Sequence, residues 1–155
     1  MPALVSGPYT LLKVVHILAA VLWLGGATML TVLAIRARRQ SGEALVAIFR
    51  EVALLAPRIF VPASLLLVLT GFALVATGNL PYDLWVVLAI VGWTITFLTG
   101  LLVLTPQTKR AESLLEEHGS TSEAALGQVQ RVLMLARIDL VVLTLVIVDM
   151  IVKPG

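Results

Sequence analysis

Long apolar runs, separated by short polar stretches, dominate the pattern of this chain. Four of the runs are predicted to be membrane-spanning helices, at about residues 11–35, 59–77, 82–105 and 133–152. A helix rises about 1.5 Å per residue, so about 20 apolar residues cross the hydrocarbon core of a bilayer. The pattern therefore predicts a single all-α domain over residues 1–155, built as a four-transmembrane-helix bundle.

Two polar stretches between the runs also show helical periodicity. Residues 40–56 place apolar side chains at helical spacing with charged ones opposite, which is typical of an amphipathic helix at the membrane surface. Residues 107–118 are predicted to form a second short polar helix. Pro57 is expected to end the first of these helices and Pro106 to close the third span, because a proline disfavours helical geometry in the residue before it.

The composition indicates that the main solvent of the chain is lipid. The sequence is 59% hydrophobic and 13% charged, whereas soluble domains carry about 25% charged residues. Cysteine is absent, which excludes disulfides, thiolate metal sites and cysteine nucleophiles. A formal net charge of +2 is too small to indicate a nucleic-acid partner. The first apolar run is longer than a signal-peptide core and is therefore predicted to be a retained span.

Lysine and arginine are concentrated on one side of the predicted spans. Nine of the eleven lie in or beside loop one, between spans one and two, and loop three, between spans three and four. They are Arg36, Arg38, Arg39, Arg50, Arg58, Lys109, Arg110, Arg131 and Arg137. The positive-inside rule then predicts that both loops are cytoplasmic and that both termini lie outside. We assign the protein to a bacterial inner membrane.

His16 is the one histidine within a predicted span and is the leading candidate for a cofactor ligand. Ionisable groups at membrane depth usually face the interior of a bundle, and neutral imidazole binds haem iron, copper and zinc. Ala19 and Ala20 leave room beside the ring for a flat cofactor. The alternative is a structural histidine, bonded to a backbone carbonyl or a hydroxyl on the next helix. Trp23 is a candidate wall of a cofactor pocket, with ordinary helix packing as its alternative role.

Four charged residues near the span ends form two candidate structural ion pairs. Lys13 and Asp149 are predicted to lie at a similar depth, where a buried carboxylate needs a cationic partner. The alternatives for Lys13 are snorkelling to the outer headgroups and contact with a ligand carboxylate such as a haem propionate. Arg58 and Asp139 lie at the inner ends of their spans, and Arg137 competes for Asp139. No catalytic residues are identified, so enzymatic activity is left open.

Three short motifs carry a resemblance to a known superfamily. They are Lys13-x-x-His16 with Trp23-x-Gly25-Gly26 in span one, Pro62 with Thr70-Gly71 in span two, and Val152-Lys153-Pro154 after Asp149-Met150. They resemble segments of the HemJ-type protoporphyrinogen oxidases and of the copper-resistance D membrane domain. The chain is most similar to short bacterial integral membrane proteins of a family of unknown function in that superfamily.

The resemblance implies a four- or five-helix bundle, often dimeric, in which the first-span histidine is a haem ligand or a metal contact. That role falls on His16 and, more loosely, on Lys13. The chain departs from the HemJ-type pattern in span three, where residues 84–87 contain no lysine, and at the entry to the last span.

The leading hypothesis is an inner-membrane protein that binds haem b or a related tetrapyrrole through His16, with a redox or sensing role. Haem is preferred over copper because one histidine can hold a porphyrin whose apolar face supplies the remaining affinity. The alternative is a non-catalytic membrane scaffold or copper-transport accessory protein with a structural His16. One axial ligand per chain and the Gly25-Gly26 face of span one also predict a homodimer. The alternative is a monomer with five-coordinate haem, or with Met29 or Met150 as the sixth ligand.

Overall fold

The computed structural model describes residues 7–40 and 42–153, with only the backbone of Gln40. The described part of the chain forms α1 (Gly7–Gln40), α2 (Gly42–Thr77), α3 (Leu84–Leu98), a π-helical segment (Thr99–Leu104), α4 (Thr105–His118) and α5 (Glu123–Val152). The all-helical prediction is confirmed. Ser41 of the predicted amphipathic helix, Pro154 of the closing motif and both chain termini lie outside the described residues.

The prediction of four membrane spans is wrong. Three helical stretches in the described residues are long and apolar enough to cross a membrane: Gly7–Arg39, Gly42–Thr77 and Leu84–His118. The third of them joins α3, the π segment and α4 without a break. The predicted span at 133–152 is not among them. Every 18-residue stretch of α5 holds at least three charged residues, and charged side chains are costly in the hydrocarbon core. These charged residues are drawn from Glu123, Arg131, Arg137, Asp139 and Asp149.

Pro57 does not end the helix in which it was expected to. Helix α2 continues through Pro57 and Pro62, so the predicted surface helix 40–56 and the second span are one helix. A proline inside a helix removes one backbone donor and crowds the carbonyl four residues earlier. Neighbouring helices and local adjustments satisfy the freed groups in membrane helices, and packing therefore overrides the local preference here.

The π segment carries the helix into Pro106, in the first turn of α4. The backbone N–H of Thr105 donates to the Gly100 carbonyl, five residues back, and the Thr105 hydroxyl donates to the same oxygen at 2.8 Å. A π turn holds one residue more than an α turn, and it commonly appears as a local bulge within an α-helix. The third predicted span consequently runs on to His118 as α4 instead of stopping at Pro106.

The helices lie side by side, and two ends of the bundle can be distinguished. At the turn end, Asn79 takes a positive φ of 46° in the turn between α2 and α3. Tyr9 of α1 lies beside Gly78 there, and Lys153 after α5 lies 5.2 Å from the centre of the Trp85 ring. The opposite end, the basic end, contains the junction of α1 with α2, helix α4 and the start of α5.

The larger buried cluster lies at the basic end. It is formed by Ala34, Ala37, Leu45, Phe49, Ala111, Leu115, Ala125, Val129, Val132 and Leu133. The apolar sides of the predicted amphipathic segments thus pack against one another and against α5, and do not lie flat on the membrane surface. On the outside of this cluster, Arg50 of α2 forms an ion pair with Glu116 of α4.

A smaller buried cluster lies in the apolar part of the bundle. It contains Ala19, Trp23, Leu67 and Leu143, so that α1, α2 and α5 meet at one level. Gly26 packs on Phe60 nearby, and a Cβ atom at Gly26 would lie 2.8 Å from the Phe60 ring. Small residues allow this close approach of α1 to α2.

Replacing Phe49 by alanine is expected to destabilise the fold strongly. Phe49 is 2% exposed within the basic-end cluster, and deletion of such a ring typically costs about 3–5 kcal/mol. Denaturant unfolding in detergent measures the loss. The matched control is Leu54→Ala on the same helix, where the side chain is 47% exposed. Equal losses in the two variants would contradict this arrangement of the cluster.

Candidate functional site

His16 lies half-buried between α1 and α2. Its Nδ1 atom is 3.0 Å from the carbonyl oxygen of Leu67 and 3.0 Å from Oγ1 of Thr70. A carbonyl oxygen can only accept, so Nδ1 carries the proton and donates it. The Thr70 hydroxyl donates to the carbonyl of Leu66 at 2.7 Å, which leaves its oxygen free to accept from His16. The network therefore selects the Nδ1–H tautomer of the neutral ring.

The other ring nitrogen of His16 then holds a lone pair. Nε2 makes no hydrogen bond with any of the described residues. Histidines that bind metals commonly donate their second N–H to a carbonyl, which fixes the tautomer and the ring orientation. The arrangement suits a nitrogen ligand. The Leu67 carbonyl and the Thr70 hydroxyl, both on α2, are also the partners expected if His16 is only a structural link between helices.

Small residues surround the His16 ring. A Cβ atom at Gly71 would lie 3.3 Å from Cε1 of His16, so the glycine lets α2 approach the ring closely. Ala19 is buried one turn further along α1. Trp23, the predicted cofactor wall, is 5% exposed and packs with Leu67, two turns from His16. Among the described residues, no three His, Asp or Glu side chains gather into a group able to hold a metal ion.

Neither predicted ion pair is formed in the structure. The Lys13 ammonium lies 5.5 Å from the centre of the Tyr9 ring, which is a cation–π contact at the turn end. Both carboxylate oxygens of Asp149 are buried and have no hydrogen-bond partner within the described ranges. Arg58 is exposed, and Asp139 lines a cavity instead.

A second indole is tied to a polar partner within the bundle. The Trp93 Nε1–H donates to Oγ of Ser64 at 2.9 Å and also lies 3.2 Å from the Ser64 carbonyl oxygen. Its ring stacks on Phe97 at a centroid distance of 5.1 Å. A partly buried indole usually has such an acceptor, and this one links α3 to α2.

The cavity lies between the helices and has a volume of about 140 Å³. All five helices and the π segment contribute to its wall. Most of the lining is apolar, and the polar lining residues are Thr31, Ser64, Thr96, Thr105, Thr108 and Asp139. His16 does not line it. Sequence reasoning missed this site, although the hydroxyl residues that interrupt the apolar runs were a visible signal for it.

Comparison with known proteins identifies the family. Residues 10–154 match a family model described as a predicted integral membrane protein, DUF2269. The chain belongs to the DUF2269 family. The match covers almost the whole chain, and it confirms the predicted membership in a family of integral membrane proteins with the lipid bilayer as their surroundings. No curated protein and no solved structure matches the chain. These comparisons give no support to the likeness to HemJ-type oxidases or to the copper-resistance D domain.

Proposed function

We propose that this membrane protein binds haem b or a related tetrapyrrole in a redox or sensing role, and that Nε2 of His16 would hold its iron. The observation that supports the proposal is the double anchoring of Nδ1 by Leu67 and Thr70, which leaves the Nε2 lone pair without a partner among the described residues. A carbonyl that accepts a hydrogen bond from the Nδ1–H group increases the basicity of Nε2 and holds the ring in one orientation.

The residues of this chain have distinct roles in the proposed site. Leu67 and Thr70 hold the His16 ring, and Gly71 lets α2 approach it closely. A bound haem would supply one-electron chemistry at its iron. The proposal does not use the cavity, because His16 is absent from its lining.

A His16→Gln variant separates a ligand from a structural link. The glutamine amide can still donate to Leu67 and Thr70, so the helix contact is retained, but it lacks an imidazole nitrogen for iron. Expression with haem supplementation is expected to give wild-type protein with a Soret absorption band and a variant without it, at unchanged melting temperature. His118→Gln is the matched control, because His118 is exposed at the end of α4, and it is expected to keep the band.

The second candidate function is a non-catalytic scaffold in which His16 only joins α1 to α2. The hydrogen bonds of Nδ1 to a carbonyl and a hydroxyl on α2 favour it. Wild-type protein that remains colourless after haem supplementation, together with a lower melting temperature for His16→Ala, would overturn the haem proposal in favour of the scaffold.

We also propose a homodimer formed through α1. Gly26 is packed on Phe60 of its own chain, whereas a Cβ atom at Gly25 would meet nothing within 4 Å. The bare surface available to a second copy is therefore at Gly25, and a glycine there permits close approach of two helices. The apolar residues Leu18, Val21 and Leu22 of α1 are exposed beside it.

A Gly25→Leu substitution is expected to weaken the dimer and leave the monomer folded, because the added side chain meets open space within the chain. Crosslinking in native membranes measures the species of twice the monomer mass. Gly26→Leu is the contrasting variant and is expected to lower stability, because of its contact with Phe60. An unchanged crosslinked species in Gly25→Leu would refute this interface.

We further propose a bacterial inner-membrane location with the basic end in the cytoplasm, on the grounds of the positive-inside rule. A cysteine introduced at Asn79, in the turn between α2 and α3, is expected to react with an impermeant thiol reagent in intact cells. A cysteine at Ser113, in α4, is expected to react only after lysis. The native chain has no cysteine, so there is no background. The reverse labelling pattern would refute the orientation.

A further inference from the structure

The cavity has the size of a site for one small organic molecule. Its volume is about 140 Å³, and an apolar protein cavity of about 150 Å³ is known to hold a single benzene ring. Aromatic side chains contribute several faces of the wall, namely Trp23, Phe49, Phe60 and Phe97. The walls therefore suit one ring or a short alkyl chain.

Most polar groups in the lining are already satisfied by the protein. The Thr31, Thr96 and Thr105 hydroxyls each donate to a backbone carbonyl of their own helix. Ser64 accepts the indole N–H of Trp93. Two groups are different: the carboxylate of Asp139 and the hydroxyl of Thr108 have no hydrogen-bond or ion-pair partner among the described residues.

Asp139 is the one charged residue among the described residues of the lining. Its predicted partner Arg58 is exposed, as is Arg137 on its own helix, and neither forms an ion pair with it. An unpaired carboxylate at an apolar wall costs free energy, which a bound cation would recover. The same carboxylate repels anionic ligands, while aromatic faces attract cations.

We propose that the cavity binds a small lipophilic amine in its protonated form, with the carboxylate of Asp139 as counter-ion. The ring or alkyl part of the amine fills the apolar remainder. This site is separate from His16 and does not depend on haem binding.

The π segment supplies a further reason to assign a ligand to this cavity. It contributes Gly100, Leu101 and Leu104 to the wall, and π segments within α-helices are frequent at functional sites. A Cβ atom at Gly100 would meet no atom within 4 Å. A larger residue at Gly100 can therefore occupy empty space without displacing the helices.

The experiment uses benzylamine as the probe and the purified chain in lipid nanodiscs. Isothermal titration, corrected with empty nanodiscs, measures binding at neutral pH, where benzylamine is protonated. Benzyl alcohol is the neutral probe of the same shape, and benzoate is the anionic one. We expect benzylamine to bind more tightly than benzyl alcohol, and benzoate to give no signal.

Two variants locate the site and its charge. Asp139→Asn is expected to weaken benzylamine binding about tenfold or more, because the ammonium loses its counter-ion, while benzyl alcohol binding is unchanged. Gly100→Leu is expected to weaken both probes. Asp83→Asn, at an exposed position before α3, is the control and is expected to change neither.

The contrary outcomes are equally specific. Equal benzylamine affinity in wild type and Asp139→Asn would overturn the role of the carboxylate. A benzylamine signal no larger than that of empty nanodiscs would overturn the site itself, as would one that persists in Gly100→Leu. Circular dichroism of each variant, compared with wild type, establishes that a loss of binding comes from a folded protein.

Discussion

Burial of apolar side chains drives folding only where water is the competing environment. In lipid the hydrocarbon tails are as apolar as the side chains, so helix contacts there need close packing and hydrogen bonds. The chain contains both kinds of contact. Its larger buried cluster, around Phe49, lies at the basic end, beneath an ion pair between Arg50 and Glu116. The apolar part is joined by directional contacts, above all those of His16 and Trp93 with α2.

The helical content could be predicted because it depends on local sequence. The number of spans could not be read from apolar runs alone. The run that ends at residue 152 is long enough to resemble a span, but Arg137, Asp139 and Asp149 make it too polar within α5. Pro57 on its own predicts a helix end, whereas α2 continues through it; in membrane helices packing against neighbours outweighs this local preference. That error comes from treating α2 without its packing partners, whereas the charged residues of α5 are visible in the sequence.

The candidate site could likewise be predicted only in part. His16 was found because an ionisable residue at membrane depth is rare and therefore conspicuous. Its partners Leu67 and Thr70 were not found, since they depend on the rotation of two helices about their own axes. Arg58 and Asp139 lie at a similar depth, which predicts an ion pair between them. In the structure Arg58 is exposed and Asp139 lines the cavity, because the two helices are rotated differently about their axes. Depth along a helix follows from residue number, but direction does not.

The π segment also sets which side of the third span faces the bundle. An α-helix turns about 100° per residue, so positions twelve residues apart differ by about a third of a turn. Thr96 and Thr108 are twelve residues apart, yet both are buried. The extra residue in the π segment brings Thr108 back to within about 20° of the Thr96 face. A family member shorter by one residue between 99 and 104 can therefore form a regular helix and keep both faces aligned. Length variation at this point is structurally neutral, whereas the same deletion elsewhere in the span would turn α4 away from its neighbours.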